Sequence, residues 1–148
     1  MVSLNLFKLM INRLLALIIL LVLSPLFLIL AMIILLEDGS PIFFTQKRIG
    51  INYSFFNIYK FRSMKKDTPN VATHLLPNPD QYVLKIGKFI RKTSLDELPN
   101  LINIIKGQMV FVGPRPALYN QDDLMELRVA TGVSKLKPGI TGWAQING

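Results

Sequence analysis

The chain has no cysteine and a single histidine, His74. Without cysteine there can be no disulfide and no thiolate metal site, although the compartment stays undecided. One histidine, set in a proline-rich loop, leaves a histidine-based metal site or a serine–histidine triad short of parts. Acidic residues are scarce as well, 9 against 17 lysines and arginines, for a net charge of +8. That imbalance points to an anionic partner: nucleic acid, an anionic membrane surface or a phosphorylated substrate. No GxGxxG, Walker-type motif or internal repeat occurs, so nucleotide-binding loops of those kinds are excluded. The 148 residues allow one domain at most.

What is abundant is apolar sequence at the start. Leu14 to Leu36 is 23 residues, polar only at Ser24. About 20 apolar residues cross a bilayer, so the segment belongs to a membrane. Glu37-Asp38-Gly39-Ser40-Pro41 offers no small-x-small site, which argues against a cleaved signal peptide. Ser24-Pro25 falls at the middle, where proline removes a backbone hydrogen bond and bends the helix. Lys8 and Arg13 precede the segment; Lys47, Arg48, Lys60, Arg62, Lys65 and Lys66 follow it. A helix that bends and returns keeps both basic flanks on one side, whereas a kinked spanning helix separates them. On the residues alone both stay open.

From Pro41 the period changes. Ile42–Gln46 and Phe55–Tyr59 are rich in aromatic and β-branched residues, with Gly50-Ile51-Asn52-Tyr53 as a turn, and read as a β-hairpin. Its basic cluster of Lys47, Arg48, Lys60 and Arg62 is a solvated face or a binding surface for phosphates or lipid head groups. Lys65 to Asp80, with Pro69, Pro77 and Pro79, reads as a loop. Tyr82 to Lys92 is a basic amphipathic helix, with Val83, Ile86, Phe89 and Ile90 as its apolar face. Met109–Val112 is a short buried run and Asn120–Thr131 a further helix. Gly113-Pro114-Arg115-Pro116 locks the backbone on both sides of an arginine, which suits phosphate binding or simply makes a rigid turn. Lys137–Gly142 is a glycine-rich turn suited to close backbone approach.

The stretch that gathers the most chemistry is Arg91-Lys92-Thr93-Ser94-Leu95-Asp96-Glu97-Leu98-Pro99-Asn100. Asp96 and Glu97 are adjacent carboxylates beside Arg91 and Lys92, at the start of a helical pattern formed by Leu98, Leu101, Ile102 and Ile105. Carboxylates there are expected to be ionised. Ser94-x-x-Glu97 is equally a capping box. Pro99 favours a helix start at Asp96, where the missing N–H costs nothing.

In order along the chain, the Ser24-Pro25 break, Asp38-Gly39-Ser40-Pro41, Gln46-Lys47-Arg48-Ile49-Gly50 and Tyr59-Lys60-Phe61-Arg62-Ser63-Met64 resemble the bacterial sugar transferases. So do Arg91–Pro99, Gly113–Pro116 and Lys137–Gly142. These are monotopic phosphoglycosyl transferases acting on polyprenol phosphate. The resemblance implies an α+β, mainly α fold. A re-entrant membrane helix broken at Ser24-Pro25 occupies 1–38. A cytoplasmic catalytic domain with a β-hairpin and amphipathic helices follows over 39–148 and lacks its C-terminal end. It implies that Asp96 is the nucleophile toward a UDP-sugar, with Glu97 beside it and Mg²⁺ bridging this pair and the diphosphate. A phosphosugar-aspartyl intermediate then passes to polyprenyl (undecaprenyl) phosphate, starting exopolysaccharide or lipopolysaccharide assembly at the bacterial inner membrane. Lys60, Arg62, Arg91 and Arg115, with Pro114 and Pro116, are the expected substrate-binding residues, Arg115 for the nucleotide diphosphate.

Departures are visible too. The family commonly has a Lys-Arg pair and an aspartate near the membrane entry, where this chain has Asn12-Arg13 and Ala16. Gln108 stands where an acid is frequent, so no metal role falls there. The competing reading is a truncated, non-catalytic membrane module that binds nucleotide sugar or an assembly partner. Nucleic-acid binding is set aside, because the aromatics read as hairpin packing and no recognition motif occurs. Which sugar and which glycan, and whether the chain forms homo-oligomers, are not legible.

Overall fold

The computed structural model describes residues 2–69 and 76–147, with the side chains of 2–5 left aside. His74 lies outside the described residues. The fold is α+β and mainly helical. In chain order it comprises α1 (Val2–Val22), α2 (Ser24–Asp38), β1 (Phe43–Ile49), β2 (Phe55–Phe61), α3 (Lys85–Lys92) and α4 (Asn100–Ile105). Then come β3 (Val110–Val112), β4 (Ala117–Leu118), α5 (Asp122–Ala130), β5 (Gly139–Thr141) and α6 (Trp143–Asn147). Two compact units share these elements. One contains Met1–Val22, Thr45–Tyr59 and Asn100–Gly148; the other contains Leu23–Phe44 and Lys60–Pro99. α1 contributes to the core of the first unit and α2 to that of the second.

The apolar N-terminal stretch breaks at Leu23, one residue before Ser24-Pro25, and α2 carries Pro25 in its first turn, where no N–H is needed. Among the described residues no single helix is long and apolar enough to cross a membrane. The bent pair Leu6–Val22 and Ser24–Asp38, at 62°, passes on length and composition. Most of its large apolar side chains are exposed, Leu21, Leu28 and Leu36 among them. An exposed apolar surface of that extent marks a contact with membrane or with protein.

In the first unit, Ala16 of α1 is fully buried with Phe56, Ile58, Leu101, Ile104 and Met109. The turn half of the β1–β2 hairpin lies here. Gly50 N–H donates to the Ser54 carbonyl at 2.7 Å, and Asn52 and Tyr53 take positive φ. β4 extends the sheet antiparallel to β1, pairing Arg48 with Leu118. β3 and β5 form a second, parallel pair, Val110 opposite Gly139. The expected buried run over Met109–Val112 is only partly so: Met109 is buried, but Val112 is 73% exposed. The glycine-rich turn proves to be β5 and its flanks. A Cβ on Gly139 would stand 2.2 Å from the Gly113 nitrogen, so the close approach is of chain to chain. α4 ends at Gly107, φ +77°. Arg13 donates to the Lys106 carbonyl at 3.2 Å and Lys137 to the Gly107 carbonyl at 2.7 Å. Two cations thus neutralise orphan carbonyls at a helix end. Asn103, fully buried, donates to the carbonyl of Asn57 and accepts from the amide of Tyr59, tying α4 to β2.

In the second unit, Leu30 and Ile34 of α2 pack with Phe61, Leu84 and Ile90. The expected helix from Tyr82 starts later, at Lys85. Tyr82–Leu84 is drawn into strand-like pairing instead: Met64 bridges Val83, and Leu84 N–H donates to the Ser63 carbonyl at 3.0 Å. Gly87 permits this closeness, since a Cβ there would lie 2.1 Å from the Ser63 oxygen. Phe89, placed on the apolar face by its spacing, is 54% exposed among Lys85, Lys88 and Lys92.

Candidate active site

Asp96 and Glu97 sit on a short 3₁₀ turn, Leu95–Glu97, rather than on the first turn of an α-helix; α4 begins only at Asn100. The capping box does not form, and the reason is local. Thr93 closes α3, its hydroxyl donating to the Phe89 carbonyl at 2.8 Å. Ser94 then turns the chain at φ +57° and makes no side-chain cap bond. A left-handed residue there terminates the preceding helix, which removes its hydroxyl from any role in starting the next. Glu97 takes a different partner.

That partner includes Lys60. Its ammonium, carried at the end of β2, lies 2.7 Å from Glu97 Oε1, with both side chains about one fifth exposed (19% and 20%). Asp96 is half-buried beside them. Burial pushes its carboxyl above the ordinary aspartate value and the neighbouring Glu97 adds to the rise; Lys60 and Arg91 oppose it without prevailing. This corrects the reason for expecting an easily ionised Asp96: desolvation outweighs the nearby cations. Arg91, in the last turn of α3, is exposed and close enough to Asp96 to be felt.

Arg62 is placed differently. It is 6% exposed. Its guanidinium pairs with the Asp38 carboxylate and donates to the carbonyls of Asp38 at 3.3 Å, Gly39 at 2.6 Å and Pro41 at 2.6 Å. The chain itself therefore takes up those donors, and Arg62 holds the segment that leads out of α2.

Arg115 belongs to the first unit, exposed on a turn three of whose carbonyls accept hydrogen bonds. Gly139 N–H donates to the Pro114 carbonyl at 3.0 Å. Arg128 of α5 donates to the Arg115 carbonyl at 2.7 Å, and Arg48 of β1 to that of Pro116 at 3.0 Å. Prolines cannot anchor a turn through their own nitrogens, so three carbonyl contacts do so. Burial lowers the proton affinity of Arg128, yet an arginine stays charged. Arg128 and Asn103 are missed by sequence reasoning, and Arg48, read as part of the hairpin's basic cluster, turns out to hold the Pro116 carbonyl. The one available signal was the recurrence of arginine beside a proline-locked turn.

No group of three or more His, Asp and Glu that could hold a metal occurs among the described residues. Two adjacent carboxylates still suit Mg²⁺, which takes hard oxygens and fills its other positions with water and substrate phosphate.

The family model for "Bacterial sugar transferase" matches residues 3–148. The chain belongs to the bacterial sugar transferase family. Of three similar relatives, two carry glucose in their names and one N-acetylgalactosamine. An undecaprenyl-phosphate glucose phosphotransferase of Komagataeibacter xylinus is 42% identical over 137 residues, covering 87% of this chain and 25% of the relative. A UDP-glucose:undecaprenyl-phosphate glucose-1-phosphate transferase of Escherichia coli K12 is 44% identical, covering 90% and 29%. A UDP-N-acetylgalactosamine-undecaprenyl-phosphate N-acetylgalactosaminephosphotransferase of Aeromonas hydrophila is 38% identical, covering 83% and 30%. The chain thus spans 25–30% of the length of these relatives.

Proposed function

We propose that this chain transfers a sugar 1-phosphate from a UDP-sugar to polyprenyl phosphate, with Asp96 as the nucleophile. The observation that carries the reading is the cluster itself. A half-buried carboxylate stands beside a second carboxylate, with Lys60 and Arg91 near enough to act on its charge. The undecaprenyl-phosphate transferase names of the relatives support the substrate classes.

In the first step an Asp96 oxygen attacks the β-phosphorus of the UDP-sugar. The bond from that phosphorus to the bridging oxygen breaks, and UMP leaves with its electron pair. The product is a phosphosugar-aspartyl acyl phosphate. In the second step an oxygen of polyprenyl phosphate attacks the same phosphorus, the acyl phosphate bond breaks, and the Asp96 carboxylate returns. Splitting the transfer this way lets two anionic substrates react in turn instead of meeting each other. Desolvation that raises the Asp96 pKa also makes its ionised form a stronger nucleophile. Asp96 and Glu97 would hold Mg²⁺, which supplies charge neutralisation for the diphosphate. Lys60 and Arg91 supply further positive charge, and Arg115, on its turn fixed by Pro114 and Pro116, offers a guanidinium fork to the nucleotide phosphates. Arg62 supports the reaction indirectly, by fixing the segment after α2.

The bent pair α1–α2 fits a helix that enters one leaflet and returns, which would leave the acid pair where a lipid phosphate emerges on the cytoplasmic face. Cysteines placed near Ser3 and near Lys65 are expected to react with an impermeant reagent from the same side of the membrane. Labelling from opposite sides would rule out re-entry. For the activity, the purified chain with Mg²⁺, undecaprenyl phosphate and a panel of UDP-sugars is expected to release UMP, and Asp96→Asn to stop it. Binding of UDP-sugar with no UMP from any sugar would instead support a non-catalytic module.

A further inference from the structure

We infer that Lys60 keeps divalent cations off Glu97 until a diphosphate arrives, so that metal and nucleotide enter the acid pair together. This rests on the reading of Asp96 and Glu97 as the metal and nucleotide-sugar site. The geometry is direct: the ammonium already occupies Glu97 Oε1 at 2.7 Å, in a setting only about one fifth exposed (19% and 20%). A cation seeking both carboxylates must lift that ammonium away or accept its repulsion, and either is costly where water screens poorly. Lys60 also acts on Asp96, as the largest of the charges opposing its raised pKa.

The charge count gives the order of events. Ionised Asp96 and Glu97 with Lys60 and Arg91 sum to no net charge, so a divalent cation alone would leave the cluster two charges positive. A diphosphate restores the balance and gives Lys60 a second anion to bind. Lysine is the right residue for such a transfer. Its charge is compact, and its flexible four-carbon stem lets it turn from carboxylate to phosphate without leaving the site. An ordinary structural salt bridge would make the opposite demand, holding Glu97 ready for the metal.

The two accounts differ in sign, and metal binding reads them apart without turnover. Mn²⁺, which takes the oxygen ligands of Mg²⁺, is titrated by electron paramagnetic resonance into the chain in nanodiscs, with no nucleotide present. Lys60→Met is expected to bind Mn²⁺ about ten-fold more tightly than wild type, the effect of removing one nearby like charge. Lys60→Gln provides the same test should the methionine variant fold poorly, and Glu97→Gln is expected to weaken Mn²⁺ binding in the Lys60 variants while changing the wild-type binding little. Unchanged or weaker binding in the Lys60 variants, with Glu97→Gln still weakening it, overturns the role given to Lys60 and leaves the acid pair as the metal site. Absence of Mn²⁺ binding to the Lys60 variants, or binding by them that is insensitive to Glu97→Gln, overturns both.

Discussion

The Glu37 carboxylate closes the first turn of α3: Oε1 accepts from the Lys85 amide at 2.6 Å and Oε2 from the Ile86 amide at 3.2 Å. Leu84, at the N-cap position, has no side chain able to do this, so the end of α2 caps a helix 48 residues downstream. Glu37→Ala leaves two amides without their acceptor and is expected to cost about 1 kcal/mol, with Glu37→Gln costing less. In thermal unfolding that is a drop of about 4 °C for a chain of this size. An unchanged midpoint would contradict the cap.

Asp96 should destabilise the fold that uses it. Its folded pKa is raised by burial. Such a group contributes stability that is fully present below the unfolded pKa and is lost as pH rises through the folded one. At neutral pH the ionised side chain therefore carries a cost. Asp96→Asn is expected to raise the unfolding midpoint at pH 7 while abolishing UMP release, and the gain should shrink as pH falls through the carboxylate range. A lower midpoint at pH 7 would show that the surrounding cations dominate instead.

The same shift bears on turnover. The nucleophile must be ionised, so the acid limb of kcat/KM should fall at a pH above that of an ordinary aspartate. A pH–rate profile at fixed Mg²⁺ reads this directly. An acid limb at or below the ordinary value would contradict a desolvated Asp96.

The proline-locked turn should depend on its anchors. Arg128→Met removes the donor to the Arg115 carbonyl, a charged contact of about 1.5–3 kcal/mol. UDP affinity is expected to fall roughly ten-fold or more while the far-ultraviolet circular dichroism is retained, and Arg128→Lys should recover part of it. Gly139→Ala is harsher, because its Cβ would meet the Gly113 backbone at 2.2 Å. It is expected to cost about 3 kcal/mol or more. Equal UDP affinity in Arg128→Met and wild type would contradict the anchoring.

Local chemistry made much of this legible. Aromatic and β-branched runs around Gly50–Tyr53 placed the hairpin, and Ser24-Pro25 placed the helix break within one residue. The residue types at the acid pair and the locked turn were legible for the same reason. What escaped depends on partners far away in the chain. Glu37 capping α3, Lys60 on Glu97 and Arg48 on Pro116 join residues 48, 37 and 68 positions apart, and no window of sequence contains both. Two local readings also failed for a reason outside the window. Ser94 was needed to end α3, and Tyr82–Leu84 was needed to pair with Ser63–Lys65.

The covalent role of Asp96 is the central claim, and intact-protein mass spectrometry tests it most directly. The chain is incubated with Mg²⁺ and its accepted UDP-sugar, without polyprenyl phosphate, and quenched in acid. The account predicts a mass gain of one sugar phosphate, mapped by peptide analysis to Asp96, absent in Asp96→Asn and discharged when undecaprenyl phosphate is added. Steady UMP release upon adding the lipid, with no adduct at any time and none trapped in its absence, would contradict it.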